Sequence, residues 1–264
     1  LFYHPTIAEL AAAIQHAGTS TSATQLRSRF REGDWLPLSS AQARLWFLHE
    51  LEGSGAGYHL VAGWRLTGRL DPAALDRSFG AVIRRQAALR TRLAVQAGEP
   101  RQQVVATVSF TLARAELEAL PEAEREHAWR RLAHDMELRP FDLGQAPLLR
   151  ATLVRIRVTP DGMGDEHILL AALHHIVADA WSTAVFIREL ATAYAAYRAG
   201  REPELPVPPI QYPDYVLWQQ ETLTGPALAK PMAYWRAHLT GAPPFLELPA
   251  DRARPALPSF RGAR

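Results

Sequence analysis

The sequence predicts an α+β fold, a mixed sheet packed by helices. Three observations carry this. Strands and helices follow one another irregularly, without the steady βαβ alternation of a doubly wound sheet. Two apolar runs, LLRATLVRIR at 148–157 and EHILLAALHH at 166–175, read as strands. Two long segments, about 71–86 and 182–199, repeat apolar residues at helical spacing.

The elements follow in order. HPTIAELAAAIQH at 4–16 reads as a helix, because Pro5 suits a first turn and Thr6 with Glu9 makes a capping pattern. A lone amphipathic helix cannot bury its own stripe, so residues 1–17 are expected to belong to an upstream domain. Residues 18–34 read as a linker. SAQARLWFLHEL at 40–51 is helical, with Leu45, Leu48 and Leu51 on one side. YHLVAGWRLTG at 58–68 partly alternates and suggests a strand. Asp71-Pro72 opens a helix to about Gln86, carrying Leu75, Phe79, Val82 and Ile83. Residues 91–96 and 101–107 read as a hairpin around Gly98-Glu99-Pro100. A charged helix over 121–138 buries Trp129, Leu132 and Met136. The helix at 182–199 lines Val185, Phe186, Leu190, Tyr194 and Tyr197 along one face and ends at Gly200. PELPVPP at 203–209 is a stiff extended connector. Helices at about 212–224 and 229–239 follow, and 243–258 is irregular.

Composition narrows the function. Hydrophobic residues are 48% and charged residues 21%, as in an ordinary globular chain. No apolar run approaches the ~18 residues that cross a membrane. The net charge of +2 is too small to predict a polyanionic partner, and 28 arginines with one lysine (Lys230) are scattered among acids. A nucleic-acid groove is therefore not expected. The absence of cysteine excludes disulfides, thiolate zinc sites and a cysteine nucleophile, and it fits a cytoplasmic setting. Leu1 to Pro5 has neither Met nor the charged start of a signal peptide, so a cut from something longer is expected.

The chemistry concentrates in HHIVADAWS at 174–182. The two histidines end a strand, where neighbours point to opposite faces. One of His174 and His175 should face a cleft while the other packs inward. Three readings compete. His175 and Asp179 could ligate a metal, but no third ligand is evident and no metal site is assigned. Both histidines could be hydrogen-bonded core residues. Or one could serve acyl transfer as base or positioning group, since a histidine titrates near ~6.5.

The surrounding motifs bear on that choice. HHIVADAWS resembles the HHxxxDG motif of condensation domains of nonribosomal peptide synthetases. SAQARLWFL at 40–48 resembles that family's opening S-x-A-Q-x-R-x-W-x-L motif, through Ser40, Arg44 and Trp46. RRQAALRTRL at 84–93 is similar to R-H-E-x-L-R-T-x-F, FDLGQAPLLRA at 141–151 to F-D-L-x-x-x-P-L-x-R, and YPDYVLWQ at 212–219 to Y-x-D-Y-x-x-W-Q. Five stretches in the family's order make the resemblance specific. LFYHPTIAEL resembles the last helix of a peptidyl carrier domain.

The resemblance implies a chloramphenicol acetyltransferase-like fold. Residues 35–209 would form its two-layer N-terminal lobe, and 210–264 an inter-lobe segment that begins the C-terminal lobe and lies loosely on the first. Most of the second lobe is absent, so these residues alone are expected to be inactive. The implied reaction joins two carrier-bound thioesters without an acyl-enzyme. The implied partners are upstream donor and downstream acceptor peptidyl carrier domains and a neighbouring adenylation domain. No cofactor would bind directly; the carriers bring phosphopantetheine arms. By carry-over His175 is the catalytic residue and His174 is structural. Asp179 would pair with Arg85 or Arg90, a loss worth ~3–5 kcal/mol if buried. Trp181 and Ala180 would support the site. Tyr212, Trp218, Trp46 and Arg44 would be core or motif residues, and Ser40 structural. Ala180 stands where the motif has glycine, and costs about 1 kcal/mol only if the backbone needs φ > 0. Gln86 and Ala87 replace the family's His-Glu pair. Alternatives are an epimerisation domain, a carrier-binding scaffold without catalysis, and, remotely, a coenzyme A acetyltransferase.

Overall fold

The computed structural model describes residues 25–52 and 56–243, together with Thr6 and Pro249. The helix expected at 4–16 lies outside the described residues apart from Thr6. Seven strands and six α-helices are described, and they are numbered here in chain order.

A four-stranded sheet forms the centre. β2 (His59–Thr67) pairs antiparallel with β7 (Glu166–His174), β7 antiparallel with β6 (Leu149–Arg157), and β5 (Ala113–Glu116) parallel with β6, so the sheet is mixed. β7 is buried along nearly its whole length. Its Leu169, Ala171 and Leu173 join one apolar cluster, and its Ile168, Leu170 and Ala172 join another. Such continuous burial requires cover on both faces. α2 (Pro72–Arg85) and α4 (Ala180–Arg198) cover the first face with Leu75, Phe79, Val82, Phe186 and Leu190. α1 (Ser40–Glu52) and α3 (Glu122–Leu138) cover the second with Leu45 and Met136, backed by Trp46, Trp129 and Leu132. The α+β class and the mixed sheet stand as expected, but the sheet lies between two helical layers rather than under one.

The helices begin where local chemistry supplies partners for their first N–H groups. Asp71 caps α2 by accepting from Ala73 and Ala74 N–H at 2.9 and 3.0 Å. Ser39 and Gln42 bracket α1 reciprocally: each backbone N–H donates to the other's side-chain oxygen at 3.0 Å.

A second, three-stranded sheet runs β1 (Trp35–Leu36), β4 (Glu99–Val104), β3 (Thr91–Gln96). Its hairpin is tighter than the sequence suggests. Ala97 and Gly98 form the turn alone, at φ 51 and 83. Two residues with positive φ match the twist of the strands they join. Pro100 thus enters β4, opposite Val95, at a position β1 does not reach. β5 has no sequence signature because it is a short edge strand reading Ala-Arg-Ala-Glu.

Two segments are held more firmly than the sequence suggests. Residues 29–33 are irregular but not a free linker: Arg29 and Phe30 N–H donate to Asp214 Oδ1, Glu32 pairs with Arg90, and Gly33 N–H donates to Val104. Nor does 210–222 lie loosely. α5 (Tyr212–Thr222) buries Pro213, Asp214, Val216 and Gln219. Asp214 caps its start, and a carboxylate spent on three backbone N–H groups anchors the helix firmly. α6 (Gly225–Leu239) contrasts with it, having no buried residue. No helix among the described residues is long and apolar enough to cross a membrane.

Candidate active site

β7 ends at His174 and α4 starts at Ala180, and the turn between them shapes the site. Strand alternation separates the two histidines. His174 is 2% exposed, and its Nδ1 accepts from Ile176 N–H at 3.1 Å, so the ring proton sits on Nε2. Its ring meets Phe141, His59 and His49 edge-on at 6.0, 5.8 and 6.2 Å between centroids. His175 leaves the strand. Its backbone N–H donates to Tyr58 O at 2.8 Å, and its side chain is exposed in an open cavity of about 420 Å³.

Burial pushes the His174 imidazole down to about 3, helped by His59, His49, His175 and Arg150 nearby. A histidine in the unfolded chain takes up its proton near ~6.5. Between those values the unfolded chain binds a proton that the folded chain refuses, so stability falls as pH falls, by up to ~1.4 kcal/mol per pH unit. Above the unfolded value this contribution is fully present. Urea midpoints measured at pH 7.5, 5.5 and 4.5 should therefore drop less steeply for His174→Asn than for the parent chain. Equal slopes in both would rule the assignment out.

The cavity wall brings together α1, the 3-10 turn Ala87–Arg90, the β7–α4 turn and α5. It includes Arg44 and Leu45, Gln86 and Thr91, Asp179 and Ser182, and Tyr212. Most polar side chains here are already occupied. The Tyr212 hydroxyl bonds Ser39 Oγ at 2.8 Å, Thr91 donates to Ala87 O at 2.9 Å, and Gln42 exchanges with Gln102 at 3.0 and 3.2 Å. Burial raises the Tyr212 phenol above its ordinary range. His175 and Arg44 are exposed residues of the same wall.

The expected ion pair of Asp179 with Arg85 or Arg90 is not formed. Asp179 is the N-cap of α4: Oδ1 accepts from Ser182 N–H at 2.7 Å, while its own N–H donates to Ser182 Oγ at 2.6 Å. Those bonds hold its carboxyl below the usual range, with desolvation opposing. Local N–H groups three residues away win over a distant guanidinium. Arg85 instead meets Glu189 at 3.0 Å, and Arg90 meets Glu32 at 2.7 Å while donating to Val105 O. Neither arginine lines the cavity. Asp179→Ala should accordingly cost about 1 kcal/mol, a cap's worth, rather than the loss of a buried pair. Asp179→Ser should be close to neutral in urea unfolding, and a loss above ~3 kcal/mol for either would contradict the cap.

Ala180 is the first residue of α4, and its φ is not positive, so no strain attaches to the missing glycine. Trp181 is 82% exposed and outside the cavity wall, so it does not buttress the site as expected. Trp46 packs under the sheet, and Trp218 stacks near Tyr215 at 5.8 Å. Ser40 N–H donates to Gln219 Oε1 at 2.9 Å, which ties α1 to α5. The sequence reading missed Glu189, and it gave no role to Gln42 and Asp214, which lie inside two of the matched motifs. All three are buried polar residues, and a polar residue on the apolar face of a helix was the available signal. Among the described residues no three His, Cys, Asp or Glu converge to hold a metal ion.

The family model described as "Condensation domain" matches residues 32–264. A linear gramicidin synthase chain from Brevibacillus parabrevis is 42% identical over the whole of this chain, which spans 3% of that protein. Phosphinothricin tripeptide synthetase PhsC of Streptomyces viridochromogenes is 39% identical over 87% of the chain, which covers 20% of it. The X-domain from teicoplanin biosynthesis has 36% identity and a TM-score of 0.72, over 90% of this chain and 50% of that one. The first condensation domain of the calcium-dependent antibiotic synthetase shares the fold at 22% identity and a TM-score of 0.71, over 81% and 50%. The chain thus spans a small part of its curated relatives and half of these solved chains. A match over nearly its whole described length places it plainly: the chain belongs to the condensation-domain family of nonribosomal peptide synthetases.

Proposed function

We propose that this chain takes part in forming an amide bond between two carrier-bound thioesters, and that His175 is its catalytic residue. One observation carries the reading: His175 presents its ring to an open cavity while the adjacent His174 is sealed in the core. The acceptor's amine attacks the donor's thioester carbonyl. A C–N bond forms, the C–S bond breaks, and the thiolate leaves with the amine's proton as a thiol. An α-amine titrates near ~8, so much of it is neutral near pH 7 and orientation matters more than strong basicity. His175 would hold the amine on line and assist its proton's departure.

In this reading residues 1–17 end an upstream carrier domain, 18–34 link it, 35–209 make the N-terminal lobe and 210–264 lead into a second lobe. The partners are the donor and acceptor carriers with their phosphopantetheine arms, beside an adenylation domain in the cytoplasm. A competing reading is a binding scaffold without catalysis. It is favoured by the 35% identity to an X-domain solved as a complex with OxyB. Mixing both aminoacyl-loaded carriers with the two-lobed domain and weighing the downstream carrier by mass spectrometry separates them. A dipeptidyl mass supports condensation. Correctly loaded carriers that bind without any product would leave the scaffold.

A further inference from the structure

Gln86 closes α2 and forms part of the cavity wall that also holds His175. Its side-chain NH₂ donates to both oxygens of Glu189, at 2.9 Å each. An amide facing a carboxylate must present its nitrogen, so the orientation of the group is fixed by charge. The carbonyl oxygen, Oε1, points the other way. It has no protein partner among the described residues and is not among the buried polar atoms left without one, so it keeps some exposure on a residue that lines the cavity. Glu189 is itself buried and is held by Arg85 Nε at 3.0 Å. A carboxylate bonded to the NH₂ pushes electron density onto the carbonyl and strengthens it as an acceptor. The backbone around Gln86 is pinned as well: Gln211 Nε2 donates to Arg85 O, and Ala87 N–H donates to Gln211 Oε1, both at 3.0 Å. The result is a carbonyl without a protein partner, on a side chain held by Glu189 and a backbone held by Gln211.

We infer that Gln86 is a specificity-determining residue of this cavity, its carbonyl accepting a hydrogen bond from an N–H of the thioester substrate. The inference rests on the thioester-condensation reading above. Two parts of such a substrate carry N–H groups, the amides of a pantetheine arm and the amine of the aminoacyl group.

Calorimetric binding to the two-lobed domain tests this with four probes: alanyl-pantetheine, propionyl-pantetheine, and the same pair with the arm's amides replaced by esters. The domain should prefer probes carrying the recognised N–H by roughly 10-fold, the worth of one hydrogen bond in a sheltered site. Gln86→Met should abolish that preference. Loss of the preference on esterifying the arm identifies the amide as donor, and loss on removing the amine identifies the amine. Gln86→Asn, which keeps the amide but withdraws it by one methylene, should behave like Gln86→Met and serves if that variant folds poorly. Equal weakening of all four probes would mean a purely structural residue and overturn the inference, as would failure of any probe to bind the parent domain. Binding needs no turnover, so a domain that binds selectively yet forms no peptide would sink the functional reading alone.

Discussion

Under the proposed function, replacing His175 with alanine in the two-lobed domain should cut dipeptide formation by about 10²–10⁴-fold, the range for losing a positioned acid–base group. The thermal midpoint should stay within about 1 °C, as for a surface change away from packed features. The two expectations belong together. The His175 ring is exposed, and its structural contribution is a backbone N–H bond to Tyr58 that alanine retains. The loss should fall on kcat and kcat/KM alike, because the group is needed when the amine attacks rather than when the carriers dock. His174→Ala should behave oppositely. It empties a site 2% exposed and leaves Ile176 N–H unpartnered, so folding fails before chemistry can be assessed. If His175→Ala keeps activity within a few-fold of the parent, the catalytic assignment is wrong.

A large stability effect is also expected at Glu189. Glu189→Ala should cost about 3–5 kcal/mol, the penalty for stranding one half of a buried pair. The Arg85 side chain is 16% exposed and would keep only Leu205 O, at 3.2 Å, as a partner. Gln86 would lose both of its bonds at the same time. For a chain of this size the thermal midpoint should fall by about 10 °C. The double change Arg85→Met with Glu189→Met should recover most of the loss, since two apolar side chains leave no uncompensated charge. Denaturant unfolding of Arg85→Met, Glu189→Met and the double variant measures the cycle. A single-variant cost below ~1 kcal/mol would place the pair among weak surface bridges instead.

Several structural features were legible in the residues because their causes are local. The α2 start follows from Asp71-Pro72, a cap followed by a first-turn proline. The paired strands β6 and β7 follow from two apolar runs, although only the buried faces reveal how thoroughly they are covered. The separation of His174 from His175 follows from the two-residue period of a strand. Asp179 is the instructive failure. The motif resemblance assigned it a distant arginine, yet the Ser182 that caps with it was readable three residues along. Edge strand β5 was missed because pairing to β6, not its own side chains, makes it a strand.

What the sequence alone determined was the class of fold, most element positions, the family motifs and that only one of two adjacent histidines should face a given cleft. All depend on spacing over a few residues. Tertiary structure decided which carboxylate Arg85 meets, a partner 104 positions away. It decided that Asp214 would anchor the segment at 29–30, 184 and 185 positions back. It also decided that the Gln86 amide nitrogen would meet Glu189, 103 positions away. Each is a choice among many chemically equivalent partners. Periodicity cannot rank those partners, because what selects one is distance in the packed chain and the cost of leaving any buried polar group unpaired.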